Sequence, residues 1–147
     1  MSLTVLEGST FCVCDDTGDV DGKGSASGFF AADTRFLSRS VLTVAGVSPS
    51  LLSNSQSAPH LARFVSRNPI AGGLEADELS IERERFVGDG MYERVHVENH
   101  SRRRIETEVA LELEADFADI FTVKDLDPGF GDPASVTLPP PCAPSWR

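Results

Sequence analysis

Residues 104–115 alternate: Ile105, Thr107, Val109, Leu111 and Leu113 fall on one parity, Glu106, Glu108, Ala110, Glu112 and Glu114 on the other. A helix would scatter those glutamates around its circumference, whereas an extended strand segregates them from the apolar residues. The period outweighs the helix propensity of Glu, Leu and Ala and predicts a long strand with one wet face. Upstream, Leu79–Val87 and Met91–Asn99 flank Gly88-Asp89-Gly90, a turn sequence whose glycines take positive φ at little cost, so the pair reads as a β-hairpin. Asn99-His100-Ser101-Arg102 supplies a second turn into the long strand, giving an expected three-stranded antiparallel meander.

The rest of the chain repeats the theme more weakly. Residues 11–15 read as a short strand, and 16–27, rich in Gly, Asp and Ser, as a loop with little to bury. Apolar character resumes at Phe29-Phe30. Residues 36–45 hold a β-branched run ended by Gly46 and Pro49, and 60–66 alternate after Pro59, so both are expected strands. Residues 68–77, with Pro69, Gly72 and Gly73, read as a connection. Six of the nine prolines fall in 125–146, including Pro139-Pro140-Pro141, which bars a central strand or a helix interior there. The expected architecture is therefore all-β: an antiparallel β-sandwich over residues 6–124, followed by an extended Pro-rich tail or strap over 125–147.

Composition narrows function. A chain of 147 residues is one domain's worth, and 40% hydrophobic with 24% charged residues is a folding composition. A net charge of -10 disfavours partners held through phosphates, so nucleic acid and anionic membranes are excluded. The first eight residues lack a signal peptide's basic and apolar regions, and no apolar stretch approaches a membrane span, so the expected location is the cytoplasm. Cys12 and Cys14, two apart on one strand, are poorly placed for a disulfide, and Cys142 lies in the Pro-rich tail. With His60, His96 and His100 scattered, no zinc cluster forms.

Other chemistry finds little purchase. Thr17, Asp19, Asp21 and Gly22 fit the first, third, fifth and sixth positions of a calcium loop, but the twelfth falls on Gly28 where a bidentate Glu is needed. Solvated turn acids are the better reading. The Glu106, Glu108, Glu112 and Glu114 row lacks the asymmetry that splits a catalytic acid from its base, and reads as a solubilising face. Asp116 and Asp119 sit among aromatics, where a structural ion pair is the commoner role than catalysis, with Arg35 as a partner. Arg102-Arg103-Arg104 suits nearby glutamates better than phosphate. No nucleophile elbow or phosphate-binding glycine motif occurs. One Tyr (Tyr92) and one Trp (Trp146) make a thin basis for a sugar-stacking platform. No catalytic, cofactor-binding or metal residue is assigned.

Several blocks, taken in order, carry a resemblance: Leu6-Glu7-Gly8-Ser9-Thr10-Phe11, the Gly18-Asp19 turn, Gly28-Phe29-Phe30-Ala31-Ala32-Asp33-Thr34-Arg35-Phe36-Leu37-Ser38, Tyr92-Glu93, Val97-Glu98-Asn99-His100, and Ala115-Asp116-Phe117-Ala118-Asp119-Ile120-Phe121-Thr122-Val123-Lys124. Together they resemble the N-terminal domain of glycogen-debranching-type enzymes, the amylo-alpha-1,6-glucosidase relatives. The resemblance implies a β-sandwich preceding a helical (α/α) barrel that carries the glycosidase carboxylates. It implies a non-catalytic accessory domain of a glycoside hydrolase, inactive alone, partnered by that barrel. It gives Asp33, Thr34, Arg35, Asp116, Phe117 and Asp119 the role of holding the sandwich together or meeting the barrel, and needs no cofactor. An apolar face left without its barrel would favour homo-oligomers. The alternative is a stand-alone α-glucan- or protein-binding module.

Overall fold

A computed structural model describes residues 1–22 and 26–124. The strands are β1 (Ser2–Glu7), β2 (Thr10–Asp15), β3 (Val20–Asp21), β4 (Gly28–Ala31), β5 (Thr34–Leu37), β6 (Arg39–Val44), β7 (Ser50–Ala58), β8 (Leu61–Arg67), β9 (Leu79–Val87), β10 (Met91–Asn99), β11 (Val109–Glu114) and β12 (Ala118–Asp119), followed by the short helix α1 (Ile120–Lys124). They form three antiparallel sheets in the orders β1-β2-β4-β5-β12, β10-β9-β8-β7 and β11-β6-β3. The fold is the all-β antiparallel sandwich expected from the alternation.

The first and third sheets share one ribbon. β5 and β6 are separated by Ser38 alone; its amide donates to the Glu114 carbonyl at 2.8 Å, and its carbonyl accepts from the Gly22 amide at 2.7 Å. The returning chain pairs β11 with β6 and then β12 with β5. Opposite this layer lies the four-stranded sheet. Between them, Val5, Cys12, Cys14 and Val20 pack with Ala62, Phe64 and Val87. A second cluster gathers Leu42, Val44, Leu74, Leu79 and Ile81, with Val95 and Ile105 half-buried against it.

Several expectations need correction. The 16–27 segment contains β3, whose Val20 is fully buried, so it is not loop throughout. The run at 36–45 is two strands that turn from one sheet into another at Ser38. β9 and β10 form the expected hairpin, but the meander stops there: the third strand begins only at Val109 and joins β6. β7 has no counterpart in the sequence reading, because its Ser, Asn and Gln side chains leave it mostly exposed with no apolar parity. The Pro-rich segment 125–147, with Cys142 and Trp146, lies outside the described residues.

Candidate docking site and the polar centres behind it

The two motif blocks meet at one place. β4 and β5 are joined by Ala32 and Asp33, both at positive φ (47° and 60°), the two-residue hairpin turn whose twist matches that of the strands. That turn sets Arg35 on the inner side of β5, where its Nε donates to both Asp116 oxygens at 3.1 and 3.0 Å and its Nη2 also donates to Asp116. Its Nη1 donates to the Ser27 carbonyl at 3.1 Å and the Gly22 carbonyl at 3.4 Å. Gly28 makes room: a Cβ there would lie 2.5 Å from Arg35 Cδ. Thr34 stands opposite Asp119 in the ladder, and the Ile120 amide donates to the Asp33 carbonyl at 2.9 Å. Asp119 caps α1, its carboxylate accepting from the Phe121 amide at 2.8 Å. Phe117, at φ 52°, sets its ring edge-on to Phe36, centroids 5.8 Å apart. All six motif residues thus converge on the β5–β12 corner.

A second polar centre lies between the layers and was missed by the sequence reading. Arg83 and Arg85 share the inner face of β9 with Ile81 and Val87. Arg85 donates to Glu93 Oε2 through Nε (2.9 Å) and Nη2 (2.5 Å); Arg83 donates to Glu93 Oε1 through Nε (2.9 Å) and Nη2 (2.7 Å). Arg83 Nη1 reaches Asp19 Oδ1 at 2.6 Å, and that oxygen also accepts from the Leu42 amide at 3.1 Å. The Asp19 side chain is only 14% exposed, so it is a tie between layers, which corrects the solvated-turn expectation for this residue. Arg85, fully buried, lies over the Phe64 ring and donates to Cys12 Sγ at 3.7 Å. Burial pushes the Glu93 carboxyl up, but the Arg85 and Arg83 charges outweigh it and hold it below its ordinary range. Cys12 and Cys14 are buried free thiols; their shared hydrogen bond lowers the Cys12 pKa and raises that of Cys14. The signal available was parity, since Arg83 and Arg85 are in phase with Ile81 and Val87.

These centres frame an exposed apolar run. Leu111 stands opposite Leu42 and Val109 opposite Val44, so their side chains continue the core side of β6. Val109, Leu111 and Leu113 nevertheless remain 40–50% exposed, and Phe117 and Phe121 follow with Phe36 beside them, also exposed. On the other face Glu112 accepts from Arg39 at 2.9 Å. The arginine run finds glutamates: Arg103 holds both oxygens of Glu78, and Arg104 meets Glu106 at 2.8 Å. Tyr92 lies exposed on the outer face of the four-stranded sheet beside Phe86, centroids 6.0 Å apart, with His60 edge-on to Phe86. Among the described residues no helix is long and apolar enough to cross a membrane.

This β-sandwich with its half-covered flank fits a known type of module. A family model described as the N-terminal domain of some glycogen debranching enzymes matches residues 5–137, nearly the whole chain. The chain belongs to this family. No curated protein and no solved structure matches it.

Proposed function

We propose that the chain is a non-catalytic N-terminal accessory domain of a glycogen-debranching-type, amylo-alpha-1,6-glucosidase-like glycoside hydrolase of the cytoplasm. It supports an (α/α)-barrel catalytic domain, with Asp33, Thr34, Arg35, Asp116, Phe117 and Asp119 shaping the corner that presents the contact surface. The observation carrying this reading is the exposed apolar run from Val109 to Phe121, held in place by the Arg35–Asp116 pair. Large exposed apolar patches on a well-formed fold mark interaction surfaces. The test is release of reducing sugar from glycogen limit dextrin and maltoheptaose by the purified chain. No turnover is expected. Robust turnover that survives repurification and disappears in Asp116→Asn or Asp119→Asn overturns the reading.

A second reading, a stand-alone α-glucan-binding module, draws on the exposure of Phe86 and Tyr92 beside each other, since exposed aromatic rings stack on the apolar face of a sugar. Titration calorimetry with maltoheptaose separates the two: a Kd below about 1 mM, abolished by Tyr92→Ala, favours the module.

A further inference from the structure

β11 is an edge strand, and its two backbone edges differ. The Glu108 and Glu114 carbonyls accept from the β5–β6 ribbon, at Ala45 and Ser38. Backbone groups alternate sides in an antiparallel strand, so residues 108, 110, 112 and 114 face inward to the ladder and Val109, Leu111 and Leu113 turn their N–H and C=O groups outward. Among the described residues nothing pairs that outer edge. The same three residues carry the half-exposed apolar side chains. On the opposite face Glu112 is matched by Arg39, while Glu108 and Glu114 have no ion-pair partner among the described residues.

We propose that the outer edge of β11 receives an added β-strand from a partner, with apolar residues opposite Val109, Leu111 and Leu113 and Lys or Arg opposite Glu108 and Glu114. This deepens the accessory-domain reading and rests on it, by naming the chemistry of what the exposed run meets. Three requirements converge on such an occupant. The edge offers a row of outward N–H and C=O groups, which another strand pairs along its whole length. The apolar parity needs apolar side chains on the core side, extending the Leu42 and Val44 layer. The carboxylates need cations, since opposite charges placed across a ladder stabilise it and like charges oppose it. A second copy fails the last requirement: antiparallel self-pairing centred on Leu111 sets Glu108 against Glu114, and parallel in-register pairing sets each glutamate against itself.

The test is amide hydrogen exchange by NMR on the full chain, with the capped peptide Lys-Val-Thr-Val-Thr-Val-Lys as probe. The expected result is saturable protection of the Val109, Leu111 and Leu113 amides, while Ala110 and Glu112, already in the ladder with β6, stay unchanged. A reordered peptide of the same composition, and one N-methylated at alternate amides, should protect none of them. Glu108→Lys with Glu114→Lys should weaken binding about tenfold or more, a surface change that leaves the core intact. No protection, or equal protection by the reordered peptide, overturns the proposal. Protection of the same amides without peptide, with a doubled mass in sedimentation, overturns it in favour of self-association. The glucan-hydrolysis assay is read separately, so failure here leaves the accessory-domain reading standing, and turnover there sinks that reading without touching the exchange result.

Discussion

Glu93 stands directly opposite Arg85 in the β9–β10 ladder and is also held by Arg83, so one buried carboxylate serves two guanidinium groups in the middle of the sandwich. Removing it leaves Arg85, among the described residues, with the Cys12 thiol as a weak acceptor and no carboxylate. Glu93→Ala should cost about 3–5 kcal/mol, which scanning calorimetry would read as a drop of about 10 °C or more in Tm. The double replacement Arg85→Met with Glu93→Leu should lose less than the sum of the single changes, because it removes the buried charges together. Additive losses would show that the two groups act independently.

Acid sensitivity follows from Glu78. Hydrogen bonds from Arg103, reinforced by the Glu75 amide, lower its pKa from the ordinary 4.5 to about 2. A carboxyl with a depressed folded-state pKa contributes stability that is complete above its unfolded value and fades as pH falls through the folded one. The contribution of Glu78 is therefore full above pH 4.5 and drains away between pH 4.5 and about 2. In Arg103→Ala the NMR-titrated Glu78 pKa should climb toward the ordinary 4.5. A value still near 2 would mean that the Glu75 amide suffices.

The Arg35–Asp116 pair depends on a planar fork. Lysine cannot donate from an Nε position to both carboxylate oxygens while also reaching the Ser27 carbonyl. Arg35→Lys should cost about 1.5–3 kcal/mol in urea denaturation, despite keeping the charge. Asp116→Asn should cost a similar amount. If both variants unfold at the wild-type midpoint, the pair is not what fixes the β12 corner.

Two substitutions should stabilise. Ser40 has a buried hydroxyl with no hydrogen-bond partner among the described residues, so Ser40→Ala removes a desolvated polar group and should gain about 1 kcal/mol. Ala32, at φ 47°, occupies a left-handed conformation that costs a Cβ-bearing residue about 1 kcal/mol or more, so Ala32→Gly should gain a comparable amount, less the entropy glycine adds to the unfolded chain. Denaturant midpoints measure both. A loss in Ser40→Ala would reveal a partner for the hydroxyl in solution.

The sequence was most informative where parity was strict. β9 and β10 begin and end where their alternation and the Gly88-Asp89-Gly90 turn place them. Periodicity reports which face a residue takes, never which strand lies alongside, and so β11 was legible as a strand yet assigned to the wrong neighbour. The break at Ser38 carries no Gly or Pro signal ahead of the Val41–Val44 run, because the turn from one sheet to the next is stabilised by long-range hydrogen bonds to Gly22 and Glu114. The Arg35–Asp116 pair was open to inference because both the acid and the arginine are set among aromatics, although they stand 81 residues apart. The Arg83–Glu93–Arg85 centre was equally open, since the arginines share parity with Ile81 and Val87, but charged residues on a strand are ordinarily read as facing water.

The return of β11 and β12 to the β5–β6 ribbon also orders the events of folding. β7 to β10 follow one another in the chain and pair in that order, β7–β8 and β9–β10 through short turns and β8–β9 through residues 68–78, so that sheet forms from contacts between consecutive strands. Arg35 and Asp116 are 81 residues apart, and closing so long a loop is entropically costly until the ends are held. Contacts made by β11 therefore belong after the rate-limiting step: Leu111→Ala should speed unfolding in stopped-flow experiments while leaving refolding nearly unchanged, and a slowed refolding limb would place the ribbon closure earlier. A chain emerging from the ribosome presents its hairpin sheet before its flank is sealed, which makes that flank the last part of the domain to become protease-resistant.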